Sequence, residues 1–373
     1  MKNVKIQLWI KKVLSLFLGF GLLAGCSNTE FSERQLSLQS YTVRVGQVDI
    51  LFVVDNSGSM SEEQRRMANS FPNFVQGLDI AGLDYRIGII TTDIQSRTNP
   101  LVNSGVLQNG NLIPFPDGSS FLTPDSSNIE SQFLQTIQRP ETLACENSNF
   151  NSSFCPSDDE RGIYAAYLAV NANKANFFRE NGHVAFVFLS DEDVRGFGIS
   201  SEQNPFRLPE ALDYPENLIQ VTRARLGTDT EISAHAIVTD SNACRLQQQA
   251  QGGNVNIHGA IGQLYITMTD PASPSLISNS GRTLNDFAQG QLVRGSVGSI
   301  CSNDYVAELG NVRTVLTQTK SRQPLRCRLF SPDDIEVRIS SEFSWTLNED
   351  LDELIFTPAL PPGTSFRVEH ECP

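Results

Sequence analysis

Asp55, Ser57 and Ser59 form the pattern Asp-x-Ser-x-Ser, with Gly58 between the serines. A carboxylate and two hydroxyls at i, i+2 and i+4 can turn inward from one loop and present hard oxygen donors to a cation. Gly58 would let that loop turn tightly. A second acidic group, Asp191-Glu192-Asp193, follows Leu189-Ser190 far along the chain. Neither stretch offers His or Cys, so the fitting ions are Mg²⁺, Ca²⁺ or Mn²⁺. Taken alone, the first pattern is also what an Asx or Ser turn opening a helix looks like. Its placement decides between the two.

Both groups follow strands that read as buried. Val48–Val54 and His183–Ser190 are nearly continuous apolar, β-branched or aromatic runs, as strands covered on both faces should be. Tyr85–Thr92 and Ile232–Val238 read the same way. Between them lie helical patterns: Ser61-Glu62-Glu63-Gln64 starts one, Met67, Phe71, Phe74, Val75 and Leu78 continue it, and Pro72 marks a candidate break. Residues 127–139, Glu160–Glu180, Glu216–Leu226, Thr283–Ala288 and Asp304–Thr319 read as further helices. Asn109-Gly110, between apolar residues, predicts a hairpin at a sheet edge. Strand and helix alternate over about 47–320, which predicts an α/β fold with a doubly wound, mostly parallel, Rossmann-like sheet. In such a sheet the loops after Val54 and Ser190 overhang one crevice. Asp93, in Thr91-Thr92-Asp93 after the second strand, falls near it and reads as a loop cap, while Glu192 and Asp193 read as solvated, with either placed to assist the site.

These residues resemble the von Willebrand factor type A domain and its metal-ion-dependent adhesion site. The match is carried by Asp55, Ser57 and Ser59 after the first strand and by Leu189-Ser190-Asp191 after a later one. The resemblance implies Ser57 and Ser59 as direct ligands of a divalent cation. It implies Asp55 and Asp191 as carboxylates acting directly or through water, and an open position for a partner's acidic group. The family usually adds a threonine from the loop before the helix that leads to the later strand. Here that loop reads Ser157-Asp158-Asp159-Glu160-Arg161-Gly162. Asp158 or Glu160 is a candidate anionic replacement, which would raise the negative charge of the site, favour Ca²⁺ and make a partner's carboxylate less welcome. The competing reading makes Asp158 the helix N-cap and Glu160 part of its first turn.

Residues 1–25 carry a basic flank (Lys2, Lys5, Lys11, Lys12) and an apolar stretch, Val13–Leu23, too short to span a bilayer. They read as an export signal. The end of that stretch, Leu23-Ala24-Gly25-Cys26, resembles the lipobox of bacterial lipoproteins, which implies a lipidated Cys26, a membrane anchor through that lipid and, with Ser27 rather than Asp next, the outer membrane. Residues 26–46 read as tether and lead-in. Without residues 1–25 the chain has 24 basic against 42 acidic residues, a balance of −18. Phosphate binding needs a basic footprint, so a nucleic-acid partner is excluded. The remaining cysteines, Cys145, Cys155, Cys244, Cys301, Cys327 and Cys372, are even in number and contain no C-x-x-C, which favours disulfides in an exported chain. Proximity and order suggest Cys145–Cys155, Cys244–Cys301 and Cys327–Cys372.

The segment 241–282 reads as an insertion rich in Gln, Gly and Asn. From 321 to 373 short alternating strands predict a small β appendage, with Phe343, Trp345, Phe356 and Phe366 as its core. No nucleophile elbow, His-Glu-x-x-His helix or phosphate loop occurs in the chain. The four histidines, His183, His235, His258 and His370, sit at strand edges or in loops. The expected function is therefore binding: a cell-envelope protein that takes a divalent cation and, through it, a protein or surface ligand. The alternatives are an envelope structural protein whose cation only steadies loops and a metal-dependent hydrolase.

Overall fold

The computed structural model describes residues 37–44, 46–94, 109–151, 154–156, 160–194, 209–228, 230–250, 262–269 and 294–318, and most of 322–372. The export signal, Cys26, Asp158, His258 and the helix expected at Thr283–Ala288 lie outside them. Strand β1 (Ser37–Arg44) comes first. It falls at the end of the segment read as tether and lead-in, and Ser37–Arg44 pairs into a sheet with the C-terminal strands.

The central sheet contains β2 (Gln47–Val54), β3 (Asp84–Thr91), β4 (His183–Ser190), β5 (Glu231–Val238) and β6 (Arg294–Ser299). They lie in the order β3-β2-β4-β5-β6, with every pairing parallel. This is the doubly wound arrangement the sequence predicts. Around it run α1 (Ser61–Ile80), α2 (Ile129–Ile137), α3 (Pro140–Asn147), α4 (Gly162–Ala172), α5 (Pro215–Leu226), α6 (Asn242–Ala250), α7 (Gln263–Thr269) and α8 (Val306–Gln318).

Alternation along β2 sends Phe52 and Val54 into a core shared with Phe71 and Phe74 of α1, Phe133 of α2 and Leu309 of α8. Leu51 and Val53 point the other way, into a core with Ile163 and Ala166 of α4 and Tyr265 of α7. Each fully buried Phe contributes roughly 1.5–3 kcal/mol by leaving water. Phe71 stacks on Phe133 with ring centroids 3.6 Å apart, and Phe52 meets Phe133 edge-on at 5.1 Å. This packing explains why Pro72 does not break α1: buried Phe71, Phe74 and Val75 hold the helix on both sides of the missing amide donor.

Two further expectations are corrected. Asn109 and Gly110 do turn with positive φ, 63° and 65°, but no strand follows directly over 111–115, and the first arm of the expected hairpin, residues 105–108, lies outside the described residues. Gly110 instead presses against α4, where a Cβ would meet the Ala165 carbonyl oxygen at 2.4 Å, and the sheet edge is met by an isolated bridge, Ile87 with Leu122, and by the Ile113 amide, which donates to the Ile89 carbonyl at 2.9 Å. The helix expected over Glu160–Glu180 is shorter, because Asn173 adopts the left-handed conformation at its end.

Beyond α8, β7 (Arg322–Pro324), β8 (Ile335–Arg338), β9 (Ser344–Asn348), β10 (Glu353–Thr357) and β11 (Ser365–Cys372) build two sheets, ordered β7-β10-β9 and β1-β11-β8, in which β10 pairs antiparallel with β7 and β9, and β11 with β8. Leu354, Phe356, Leu360, Phe366 and Val368 make their core, with Phe343 and Trp345 packed against it. Disulfides join Cys145 to Cys155 and Cys244 to Cys301. Cys327 is also disulfide-bonded, while the side chain of Cys372 lies outside the described residues.

Candidate metal centre at the carboxyl edge of the sheet

Because β3, β2 and β4 run parallel and in register, they end together. The Asp55 amide donates to the Leu189 carbonyl at 2.9 Å and the Thr92 amide to the Val54 carbonyl at 3.1 Å. The loops carrying Asp55, Thr92 and Asp191 therefore leave one edge side by side. Asp55 is fully buried. Its Oδ1 accepts the Ser57 amide at 2.8 Å and its Oδ2 accepts the Ser190 hydroxyl at 2.8 Å. The hydroxyls of Ser57 and Ser59 are 3.0 Å apart, and the Ser59 hydroxyl bonds the Asp191 carboxylate. Asp55, Ser57, Ser59 and Asp191 thus meet as the sequence predicts.

Of the two candidates in the loop before α4, Glu160 joins them. It pairs with Asp93 in an isolated antiparallel bridge, is 5% exposed, and sets its carboxyl against that of Asp55. The helix starts only at Gly162, with Arg161 preceding it, so the reading of Glu160 as part of the first turn is corrected. Asp158 lies outside the described residues. Arg161 turns its guanidinium away, to Asp213 at 2.7 Å and Glu210 at 3.1 Å.

Burial dominates the electrostatics. Glu160 and Asp191 are held well above the ordinary carboxylate range by desolvation and by the charge of Asp55, and Asp55 is raised by desolvation. No ammonium or guanidinium is among the groups acting most strongly on these three. Buried carboxylates without a basic partner are costly unless they share protons or coordinate a cation. No donor reaches Glu160 Oε2. Among the described residues, no group of three or more His, Cys, Asp and Glu side chains makes a metal site by itself, so an ion here depends on the hydroxyls as well. With them the donor set is all oxygen and suits a hard divalent cation.

Sequence reading missed the supports. Gln64 on α1 donates to the Asp55 carbonyl at 2.9 Å and accepts the Arg139 amide at 2.8 Å. Thr142 on α3 donates to the Asn56 carbonyl at 2.7 Å. Glu141 accepts from Asn56 at 3.2 Å and from Arg139 at 2.8 Å. Glu192 and Asp193 are buried rather than solvated. Asp193 accepts the amides of Val194 at 2.9 Å and Leu264 at 3.2 Å, which ties this loop to the start of α7, and burial pushes it up to about 8. Tyr265 of α7 puts its hydroxyl beside Gly162, where a Cβ would fall 2.6 Å away. Gly58 has no positive φ. Its lack of a side chain matters for a different reason: a Cβ there would lie 2.5 Å from Cys145 Sγ and 3.0 Å from the Phe150 ring. The Cys145–Cys155 loop therefore packs directly on the serine loop.

No protein-family model matches the chain, and no curated protein does. Solved structures do. The pilus adhesin SpaC from Lactobacillus rhamnosus GG aligns at 12% identity over 90% of this chain and 41% of its own, with a TM-score of 0.36. A von Willebrand factor type A structure from Catenulispora acidiphila aligns at 8% identity over 90% and 64%, with a TM-score of 0.28. The pilus adhesin RrgA from Streptococcus pneumoniae aligns at 9% identity over 89% and 57%, with a TM-score of 0.29. The chain thus spans less than two thirds of each of these proteins. The identities are too low to carry residue roles across, and the α/β assignment rests on the observed sheet order.

Proposed function

We propose that this chain is an adhesion-type binding protein of the cell envelope, anchored through a lipidated Cys26, whose sheet edge holds a divalent cation that meets an oxygen of a protein or surface ligand. The observation that carries the reading is the gathering of buried Asp55, Glu160 and Asp191 around Ser57 and Ser59 with no basic side chain among them. Ser57, Ser59, Asp55, Asp191 and Glu160 are the residues that would hold the ion. Bound there, the ion would supply positive charge and an open coordination position. Three carboxylates around a divalent ion leave no net positive charge, so a neutral oxygen on the ligand suits the site at least as well as an acidic group. Among the described residues no helix is long and apolar enough to cross a membrane, and the anchor in this reading is the lipid.

The test is calorimetric titration of the full chain, stripped with chelator, with Ca²⁺, Mg²⁺ and Mn²⁺. Wild type should bind saturably, and Ser57→Ala combined with Ser59→Ala should lose about tenfold or more in affinity. A double variant with full affinity would overturn the reading.

A further inference from the structure

Thr92 is 1% exposed, yet its hydroxyl has no hydrogen-bond partner. Leaving a buried hydroxyl unpaired is costly, and in native proteins such a group calls for an explanation such as strain, a water or an ion. Its position supplies one. Ile90 of β3, Val53 of β2 and Phe188 of β4 all point into the core layer against α4. Alternation carries that direction on to Thr92, Asp55 and Ser190, each two residues later. These three are neighbours across the sheet edge: the Thr92 amide donates to the Val54 carbonyl, and the Asp55 amide to the Leu189 carbonyl. Ser190, on one side of Asp55, bonds its carboxylate at 2.8 Å. Thr92 stands on the other side, toward Glu160, since the Arg161 amide donates to the Thr92 carbonyl at 3.0 Å and Asp93 bridges Glu160. The unpaired hydroxyl therefore belongs to the same layer as Asp55, on its Glu160 side, and Glu160 Oε2 also lacks a donor.

We infer that Thr92 Oγ1 is a further oxygen donor to the cation, supplying from the end of β3 the hydroxyl that the loop before α4 lacks. This rests on the cation-binding reading above. With Thr92, the donors Asp55, Ser57, Ser59, Thr92, Glu160 and Asp191 approach the ligand number of Ca²⁺, which takes about six to eight oxygens, whereas Mg²⁺ keeps several of its waters. The site is thereby tuned to Ca²⁺, and it holds the ion before any ligand arrives.

The test compares wild type, Thr92→Val and Thr92→Ser as full chains, by calorimetric titration with Ca²⁺ and Mg²⁺ and by thermal melting with and without Ca²⁺. Wild type should prefer Ca²⁺. Thr92→Val should lose about tenfold in Ca²⁺ affinity, and Thr92→Ser should stay within about twofold of wild type, a difference of under half a kcal/mol. In chelator Thr92→Val should melt no lower than wild type, because it removes an unpaired hydroxyl without changing shape, and it should gain less on adding Ca²⁺. If Thr92→Val binds Ca²⁺ like wild type while Ser57→Ala does not, Thr92 is no ligand and the cation reading survives. A Thr92→Val chain that melts lower in chelator with unchanged Ca²⁺ affinity shows the hydroxyl serving the fold, and likewise overturns the inference. Equal affinity of wild type for Mg²⁺ and Ca²⁺ removes the Ca²⁺ tuning, and no saturable binding to wild type removes both readings.

Discussion

The carboxyl groups of Asp55 and Glu160 face each other inside the protein, placed to share one proton. Two acids so arranged cannot both ionise cheaply, and they titrate as a pair. The fold tolerates them because Asp55 is bonded by Ser57 and Ser190, while Glu160 keeps its proton well beyond the range of an exposed glutamate.

A pH dependence follows. The folded chain holds the Glu160 proton at pH values where the unfolded chain, with an ordinary value near 4.5, has lost it. The stability this gives is fully present below that value and is lost as pH rises toward the folded value, by about 1.4 kcal/mol per pH unit. In chelator, wild type should therefore lose stability relative to Glu160→Gln as the pH rises above about 4.5. Urea midpoints of the two chains across that range measure it, and their difference cancels what other groups contribute to both. Parallel curves would count against the shared proton.

Gly58→Ala should act through packing. The added methyl would collide with Cys145 Sγ and the Phe150 ring, and overfilling a tight contact costs about 1–3 kcal/mol. Denaturant unfolding gives the loss. The same change should weaken Ca²⁺ binding, since it displaces the segment between Ser57 and Ser59. A Gly58→Ala chain as stable as wild type would show that the Cys145–Cys155 loop can move aside.

His235 should stay neutral through the physiological range. It is wholly buried between β4 and β6, with its ring nitrogens on the Ser296 and Ser233 hydroxyls at 2.8 and 3.2 Å, and burial drives it down to about 3. The unfolded chain binds a proton below about 6.5, so stability contributed by neutral His235 is present above that value and falls as pH drops toward 3. Its ring proton signals in NMR should show no titration step between pH 5 and 8. An inflection near 6.5 would contradict the burial.

The central strands were legible because strands covered on both faces must be apolar throughout, as Val48–Val54 and His183–Ser190 are. Asp55, Ser57, Ser59 and Asp191 were legible because their strand ends fix where they sit. Glu192 and Asp193 read as solvated because acidic residues are rarely buried; backbone amides, those of Val194 and Leu264 among them, make Asp193 acceptable inside. Gln64, Thr142 and Thr92 carry no local pattern, since their roles come from contacts with distant residues. The same holds for β1, which pairs with a strand more than three hundred residues later in the chain.

That pairing bears on how the protein carries load. Tension applied through the residues before Ser37 reaches the β1–β11 ladder first, and only then Gln47, where β2 begins just beyond Arg44. The strand that takes such a pull first sits at the edge of its own three-stranded sheet, outside the five strands that shape the serine loop.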